Sequence, residues 1–148
     1  MLTVDAARAR VLAAVPRLST EMVALAAARG RVLARAARAT RDLPAFDSTA
    51  RDGYAVRAKD TTGARRSAPR VLKIIEDIPA GRVPRRRLGP GEAARIFTGA
   101  VLPDGADAIV QQEDAARSGA AVRIFTAVPR GEWIRPAGED VRRGEAVV

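Results

Sequence analysis

Two aspartates, two hydroxyl side chains and a glycine lie close together in one part of the sequence. Asp47 and Asp52 enclose Ser48 and Thr49, and Gly53 follows directly. Carboxylate and hydroxyl oxygens in a loop are ligands that a hard cation such as magnesium prefers. The same residue types also form turns, because Asp-Ser favours a side-chain turn and Asp-Gly favours a hairpin. Local chemistry therefore leaves a cation-binding loop and a structural turn as alternatives.

Thr98 and Gly99 follow an apolar run that indicates a strand. Glycine lacks a Cβ, so the backbone at Gly99 could approach a ligand closely, and Thr98 could donate hydrogen bonds to an oxyanion. A strand end closed by a Ser/Thr turn explains the same two residues. The pair is thus either part of an anion site or a local turn.

Arg135 lies near two acidic residues, Glu139 and Asp140. A guanidinium binds phosphate and other oxyanions through parallel hydrogen bonds, which makes Arg135 a candidate substrate contact. The neighbouring carboxylates also allow a structural salt bridge. Both roles remain open from the sequence.

The composition limits the chemistry further. The chain has 148 residues with no His and no Cys, which excludes a disulfide, a thiolate nucleophile, a zinc-thiolate site and a Ser-His-Asp triad. Lys and Arg outnumber Asp and Glu by 26 to 17, for a net charge of +9, and only Lys59 and Lys73 are lysines. The densest basic run, Arg85–Arg87, is flanked by Pro and Gly, which predicts a solvated loop.

Two classes of partner are not expected. One Trp, one Tyr and three Phe give few stacking platforms, and no zinc finger or basic zipper occurs, so we expect no nucleic-acid partner. The sequence has no signal-peptide pattern and no run near the roughly 20 apolar residues that a membrane span needs. We therefore expect a cytoplasmic protein with no membrane partner.

The elements that must position these residues change character along the chain. Helical spacing predicts a helix over 3–15 capped by Thr3, a second helix over 19–28, and a strand beginning at 31–35. Beyond Pro44, short apolar segments between Gly and Pro turns predict strands at 54–57, 70–75, 93–97, 108–111, 122–126 and 133–135. The predicted fold class is α+β, with N-terminal helices followed by a β-rich domain of short strands.

Three segments, in order, resemble the motifs of one enzyme family. Residues 46–56, FDSTARDGYAV, are similar to a signature of the form F-D-N-S-A-M-D-G-Y-A-V, and residues 96–113 and 134–140 resemble the second and third motifs. The family is the molybdopterin molybdenumtransferases of molybdenum-cofactor biosynthesis, the MoeA type, related to the C-terminal part of gephyrin. The resemblance runs from Leu2 to Val148. The Gly-rich motifs of the family's pterin-binding domain are missing, so we expect the N-terminal portion of a longer protein.

The resemblance implies an enzyme that takes adenylylated molybdopterin and molybdate as substrates. Such an enzyme cleaves the adenylate in a magnesium-dependent step, releases AMP and places molybdenum on the pterin. The resemblance implies Asp52, Thr98 and Asp140 as catalytic residues, with Asp52 and Asp140 holding Mg²⁺. The implied substrate-binding residues are Ser48, Gly53, Tyr54, Gly99, Arg135 and Glu139.

The resemblance also implies a homodimer in which this region faces the pterin-binding domain of the partner subunit. We expect a discontinuous first domain, residues 1–43 completed by 141–148 as the chain returns, and an inserted β-rich domain at residues 44–140. The isolated fragment is expected to be inactive. The alternative is a non-catalytic dimerisation or partner-docking module of the gephyrin type.

Overall fold

The structure is a computed structural model that describes residues 2–16 and 18–148. The chain forms two compact units, Met1–Ala36 and Ala37–Val148. Among the described residues, the first unit carries the single α-helix and the second unit carries all of the strands. The candidate site residues all belong to the second unit.

The helix α1 spans Val4–Ala14 and confirms the helix predicted over 3–15. Thr3 caps it, because its side-chain oxygen accepts a hydrogen bond from the backbone N–H of Ala6 at 3.3 Å. None of the side chains of α1 is buried. Within the described ranges, no helix has the length and apolar character needed to cross a membrane.

The rest of the first unit differs from the prediction. The prediction of a second helix over 19–28 is wrong, because the chain forms only a 3-10 turn there, at Leu25–Ala27. The strand predicted to begin at 31–35 is also wrong, since no strand lies there. No residue of these two segments is buried. Good helix formers do not hold a short helix without a packed face, because helix nucleation is unfavourable.

Eight strands form two sheets in the second unit. They are β1 (Ser48–Thr49), β2 (Gly53–Val56), β3 (Arg70–Ile78), β4 (Glu92–Ile96), β5 (Ala108–Gln111), β6 (Ala115–Ser118), β7 (Ala121–Ile124) and β8 (Ile134–Arg135). The larger sheet has the order β5-β2-β4-β3-β7-β6, and β1 pairs with β8 separately. All pairs are antiparallel except β3 with β4, which is parallel. Short 3-10 turns at Ala58–Thr61 and Gln112–Asp114 connect strands.

The six strands predicted beyond Pro44 are confirmed, β5 with the predicted ends and the other five with shifted ends, and β1 and β6 are additional. The described chain is therefore mostly β with one helix. The expected α+β fold with several N-terminal helices is corrected in that respect. The basic run Arg85–Arg87 lies outside the strands and is exposed, as predicted.

Strand β2 lies inside the larger sheet, between β4 and β5, and all four of its residues are buried. Because successive side chains of a strand point to opposite faces, Tyr54 and Val56 pack into one hydrophobic cluster and Ala55 into another. The first cluster includes Val110, Val122 and Ile124, and the second includes Ile78, Ile96 and Ile109. The segment that contains Asp52 and Gly53 therefore enters the sheet at its most buried strand.

The last residues of the chain pair with the first residues of the second unit. The Leu43 N–H donates to the Val141 carbonyl at 2.8 Å, and the Ala39 N–H donates to the Glu145 carbonyl at 2.9 Å. Residues 37–43 and 141–148 thus run alongside each other. The predicted division of the chain at residue 43 stays a prediction.

Candidate functional site

The short strand β1 brings the three sequence motifs together. On one side β1 pairs with β8, with Ser48 opposite Arg135. On the other side the Thr49 N–H donates to the Ala100 carbonyl at 3.1 Å, and the Gly99 N–H donates to the Thr49 carbonyl at 2.9 Å. The segment that holds the two aspartates is therefore flanked by the Thr98–Gly99 turn and by the Arg135 strand.

Asp52 and Thr98 form a direct pair. Asp52 Oδ1 accepts the Thr98 backbone N–H at 2.8 Å and the Thr98 hydroxyl at 2.7 Å. The backbone hydrogen bond lowers the pKa of Asp52 most, followed by the hydroxyl hydrogen bond and the nearby charge of Arg95. The Asp52 carboxylate therefore stays ionised at pH values below the usual pKa of aspartate.

Arg95 is a site residue that the sequence motifs do not indicate. It lies opposite Tyr54 in the pairing of β4 with β2, and its guanidinium lies 5.1 Å from the centroid of the Tyr54 ring. It donates to the Gly53 carbonyl at 3.1 Å and to Gln112 Oε1 at 2.6 Å. The sequence signal is weak, since an arginine on a strand beside Phe97 is usual for a solvated sheet face.

Arg135 is held by two carboxylates. Its Nε donates to Glu139 Oε2 at 2.8 Å, and its Nη2 donates to both oxygens of Asp140 at 2.8 and 2.9 Å. These hydrogen bonds, with Glu139 first, raise the pKa of Arg135 above its ordinary value. All three residues remain partly exposed. The salt bridge considered from the sequence is present, and it orients the guanidinium that was considered for an oxyanion.

Asp47 ties the third motif to the first. Its Oδ1 accepts the backbone N–H of Ala137 at 2.8 Å, and its carbonyl accepts the Leu102 N–H at 2.9 Å. The carboxylate of Asp47 therefore serves as a structural acceptor between the two loops. The role is structural, but it differs from the local side-chain turn expected for Asp-Ser, because the N–H that Asp47 accepts lies 90 positions along the chain.

The remaining candidates differ in exposure. Ser48, Gly53 and Tyr54 are buried, whereas Thr98 and Gly99 are exposed. A side chain at Gly53 would collide with the Val110 carbonyl of the neighbouring strand, so glycine is required there for packing. Gly99 has φ +80° with open space beside it, which suits a backbone turn that a ligand can approach.

The candidate site offers a magnesium ion separate carboxylates and not a cluster of acidic side chains. The described residues contain no group of three or more acidic side chains that could hold a metal ion. Mg²⁺ is typically bound through one or two carboxylates together with waters and substrate phosphates. Asp52, whose hydrogen bonds from the described chain both end on Oδ1, fits such a site, whereas both oxygens of Asp140 face Arg135.

The chain is similar to one known protein family along nearly its whole length. The family model described as "MoeA N-terminal region (domain I and II)" matches residues 2–148. A molybdopterin molybdenumtransferase of Nostoc sp. is 45% identical over 125 residues, which is 82% of this chain and 29% of that protein. Molybdopterin molybdenumtransferase 2 of Mycobacterium tuberculosis is 48% identical over 106 residues, which is 72% of this chain and 26% of that protein.

A solved structure agrees with the sequence comparison. The molybdopterin biosynthesis moeA protein from Pyrococcus horikoshii OT3 superposes with a TM-score of 0.81 at 42% identity, covering 86% of this chain and 34% of that one. The present chain thus spans about a third or less of the length of these relatives, and it corresponds to their N-terminal portion. The chain belongs to the MoeA N-terminal family.

Proposed function

We propose that the chain is the N-terminal part of an enzyme that inserts molybdate into adenylylated molybdopterin with release of AMP. The observation that carries the proposal is the meeting of three motifs at β1. There a depressed-pKa carboxylate, a threonine at an open glycine turn and an oriented guanidinium lie on neighbouring segments. The names of the relatives, molybdopterin molybdenumtransferases, support molybdopterin and molybdate as the substrates.

Each residue has a role in this proposal. Asp52 orients the Thr98 hydroxyl and carries the negative charge that Mg²⁺ requires, and the bound ion would neutralise substrate oxygens. Thr98 and Gly99 lie beside the reacting phosphate. Arg135, fixed by Glu139 and Asp140, contacts molybdate or phosphate oxygens. In this arrangement Asp140 acts mainly by positioning Arg135, with a metal contact as its second role.

The proposed enzyme needs parts beyond this chain. We propose a cytoplasmic homodimer in which the residues around β1 face the pterin-binding domain of the partner subunit. Ser48, Gly53 and Tyr54 are buried, so their contribution to substrate binding is to hold the backbone of the Asp52 turn in place. The isolated chain is therefore expected to release no AMP.

The test uses a protein that contains the downstream domains. Molybdate insertion into adenylylated molybdopterin and AMP release are measured for wild type, Asp52→Asn, Asp140→Asn and a control, Asp77→Asn. Asp77 is an exposed aspartate that pairs with Arg117 on β6. We expect the two site variants to lose most activity while they stay folded by circular dichroism, with Asp52→Asn melting at a somewhat lower temperature because it lacks the charge that accepts from Thr98. Wild-type turnover in both would overturn the assignment of the site.

A second candidate function, a dimerisation or docking module, is favoured by the apolar surface of the N-terminal unit. Val4, Leu18 and Met22 are 84%, 92% and 99% exposed, so this unit presents large apolar side chains that a partner could cover. The solution mass of the isolated chain, measured across concentrations, tests whether this region carries an interface, and a monomer would place the dimer contacts elsewhere. A stable dimer that persists in Asp52→Asn would support docking independently of catalysis.

A further inference from the structure

At position 51 the chain departs from the family signature that residues 46–56 resemble. The motif that residues 46–56 resemble has methionine at this position, directly before the Asp-Gly pair. The Arg51 guanidinium lies over the indole of Trp133, with its Cζ 4.5 Å from the ring centroid. Trp133 in turn precedes β8, so this stacked pair joins the first motif to the third.

The other two guanidiniums near Asp52 and β8 are already engaged. Arg95 donates to a backbone carbonyl and to Gln112, and Arg135 is held by two carboxylates. The Arg51 guanidinium makes no hydrogen bond or ion pair with residues 2–16 and 18–148, and Arg51 is exposed. A guanidinium with no hydrogen-bond or ion-pair partner keeps its N–H donors available for an oxyanion.

Both ends of the stacked pair are fixed. The Arg51 N–H donates to Thr49 Oγ1 at 3.1 Å, and Thr49 Oγ1 donates to the Arg51 carbonyl at 2.6 Å. The Ala50 N–H donates to the Trp133 carbonyl at 2.9 Å. Trp133 has φ +55°, a left-handed conformation that a bulky residue adopts only where its surroundings enforce it. The backbone of both residues is thus held in place, and Trp133, partly buried, packs against the second hydrophobic cluster.

A stacked guanidinium is well prepared for anion binding. Stacking uses the face of the planar group and leaves the N–H edge available for parallel hydrogen bonds to two oxygens. It also restricts a long side chain before the ligand arrives, which reduces the entropy cost of binding. Methionine at the same position could offer neither charge nor donors.

We propose that Arg51, stacked on Trp133, is an oxyanion-binding residue of this site. The ligand class is a tetrahedral dianion, and molybdate and the phosphate group of an adenylate share that chemistry. The proposal rests on the proposed function, since it assigns an additional substrate contact to the same site. Arg51 is a binding residue, and Trp133 is the residue that positions it.

Trp133 also supplies the measurement, because it is the single Trp of the chain. The 148-residue protein is titrated with sodium molybdate at constant ionic strength while Trp133 fluorescence is followed; parallel titrations use inorganic phosphate and AMP. We expect a saturable change with wild type, a loss of affinity of about tenfold or more in Arg51→Met, and a smaller loss in Arg51→Lys.

The matched control is Arg66→Met. Arg66 is another exposed arginine over an aromatic ring, with its Cζ 5.5 Å from the Phe125 centroid, and it lies outside the three motifs. Its affinity should stay within about twofold of wild type.

The order of the affinities identifies the ligand. Stronger binding of molybdate than of AMP would assign Arg51 to the metal oxyanion, and the reverse order would assign it to the adenylate phosphate.

Two results would overturn the proposal. One is wild-type affinity in Arg51→Met, and the other is the absence of any saturable change in wild type, checked by the backbone amide resonances of Arg51 and Thr98. The first result, combined with inactivity of Asp52→Asn in the longer protein, would remove Arg51 and leave the proposed function intact. Full activity of both Asp52→Asn and Asp140→Asn in the longer protein, together with Arg51-dependent binding, would remove the proposed function and keep Arg51 as an oxyanion-binding residue.

Discussion

Asp52 and Thr98 are 46 positions apart in the chain, yet one carboxylate oxygen of Asp52 accepts two hydrogen bonds from Thr98. One donor is the backbone N–H and the other is the hydroxyl. The contact depends on the Gly99 turn lying against β1, since the Gly99 N–H donates to the Thr49 carbonyl. The charge of Asp52 and the position of the candidate anion-binding turn are therefore coupled.

The first prediction concerns the pH dependence of this pair. Because the pKa of Asp52 is depressed in the folded chain, the pair stabilises the fold above the ordinary aspartate pKa of 3.8. That contribution is lost as the pH falls through the lower, folded-state pKa. The Thr98 amide resonance, followed by NMR against pH, should titrate with a midpoint below 3.8.

Two variants test the cause of that shift. Asp52→Asn should abolish the titration of the Thr98 amide. Thr98→Val keeps the backbone N–H, which is the larger cause of the depressed pKa, and removes only the hydroxyl. The pKa of Asp52 in Thr98→Val should therefore rise only part of the way to its ordinary value. A midpoint at or above the ordinary value in wild type would contradict the structure of the pair.

Gly53→Ala should destabilise the second unit. The added Cβ would meet the Val110 carbonyl of β5, and because that atom is backbone, it can move aside only by disturbing the pairing of β2 with β5. We expect a loss of about 2–4 kcal/mol in the free energy of unfolding, measured by urea denaturation. Gly89→Ala is the control, because its Cβ would meet only the end of the flexible Glu92 side chain. Equal losses in the two variants would show that packing against β5 is not the cause.

Ile109→Ala tests the hydrophobic cluster beneath the site. Ile109 is fully buried on β5 and belongs to one cluster with Ile96 and Ala100, which lie before and after the Thr98–Gly99 turn in the chain. Removing its side chain should cost about 2–5 kcal/mol of unfolding free energy. Val71→Ala, at a position 63% exposed on β3, should cost less than about 1 kcal/mol. A small effect of Ile109→Ala would mean that the turn is not supported by this cluster.

The strands of the larger sheet were predictable where the sequence shows a short apolar run bounded by Gly, Pro or Asp. The prediction of strand β5 over 108–111 is confirmed. Three of its four residues are buried, and for that reason the strand stands out in the sequence as a short apolar run. Strand β1 could not be predicted, because it has two polar residues and exists only through partners far along the chain. The helix expected over 19–28 fails for the opposite reason, since local preference without a buried face does not hold a helix.

The site shows the same division. Residue types nominated Asp52, Thr98 and Arg135, but only the pairing of β1 with its two neighbours brings their segments together. Arg95 is engaged by Gly53 and Gln112, and Arg135 by two carboxylates, which leaves Arg51 as the arginine beside Asp52 whose guanidinium has no hydrogen-bond or ion-pair partner among the described residues. Such a role depends on what neighbouring side chains already bind, and spacing along the chain does not report it.

The last prediction concerns the basic loop at Arg85–Arg87. The β-bulge in β3, between Ile74 and Glu76, directs the Glu76 carboxylate to the backbone N–H groups of Arg85 and Arg86 at 3.1–3.2 Å. Charge-assisted hydrogen bonds of this kind hold an exposed loop closed. Glu76→Gln weakens them, so trypsin should cleave at Arg85–Arg87 about fivefold faster or more.

Mass spectrometry of the fragments isolates cleavage at this loop from cleavage at the other arginines. Asp77→Asn is the control, because Asp77 is the neighbouring acid on β3 but pairs with Arg117 instead of the loop. Its cleavage rate at Arg85–Arg87 should match wild type. Equal acceleration in both variants would indicate general loosening of β3, and an unchanged rate in Glu76→Gln would show that the carboxylate does not restrain the loop.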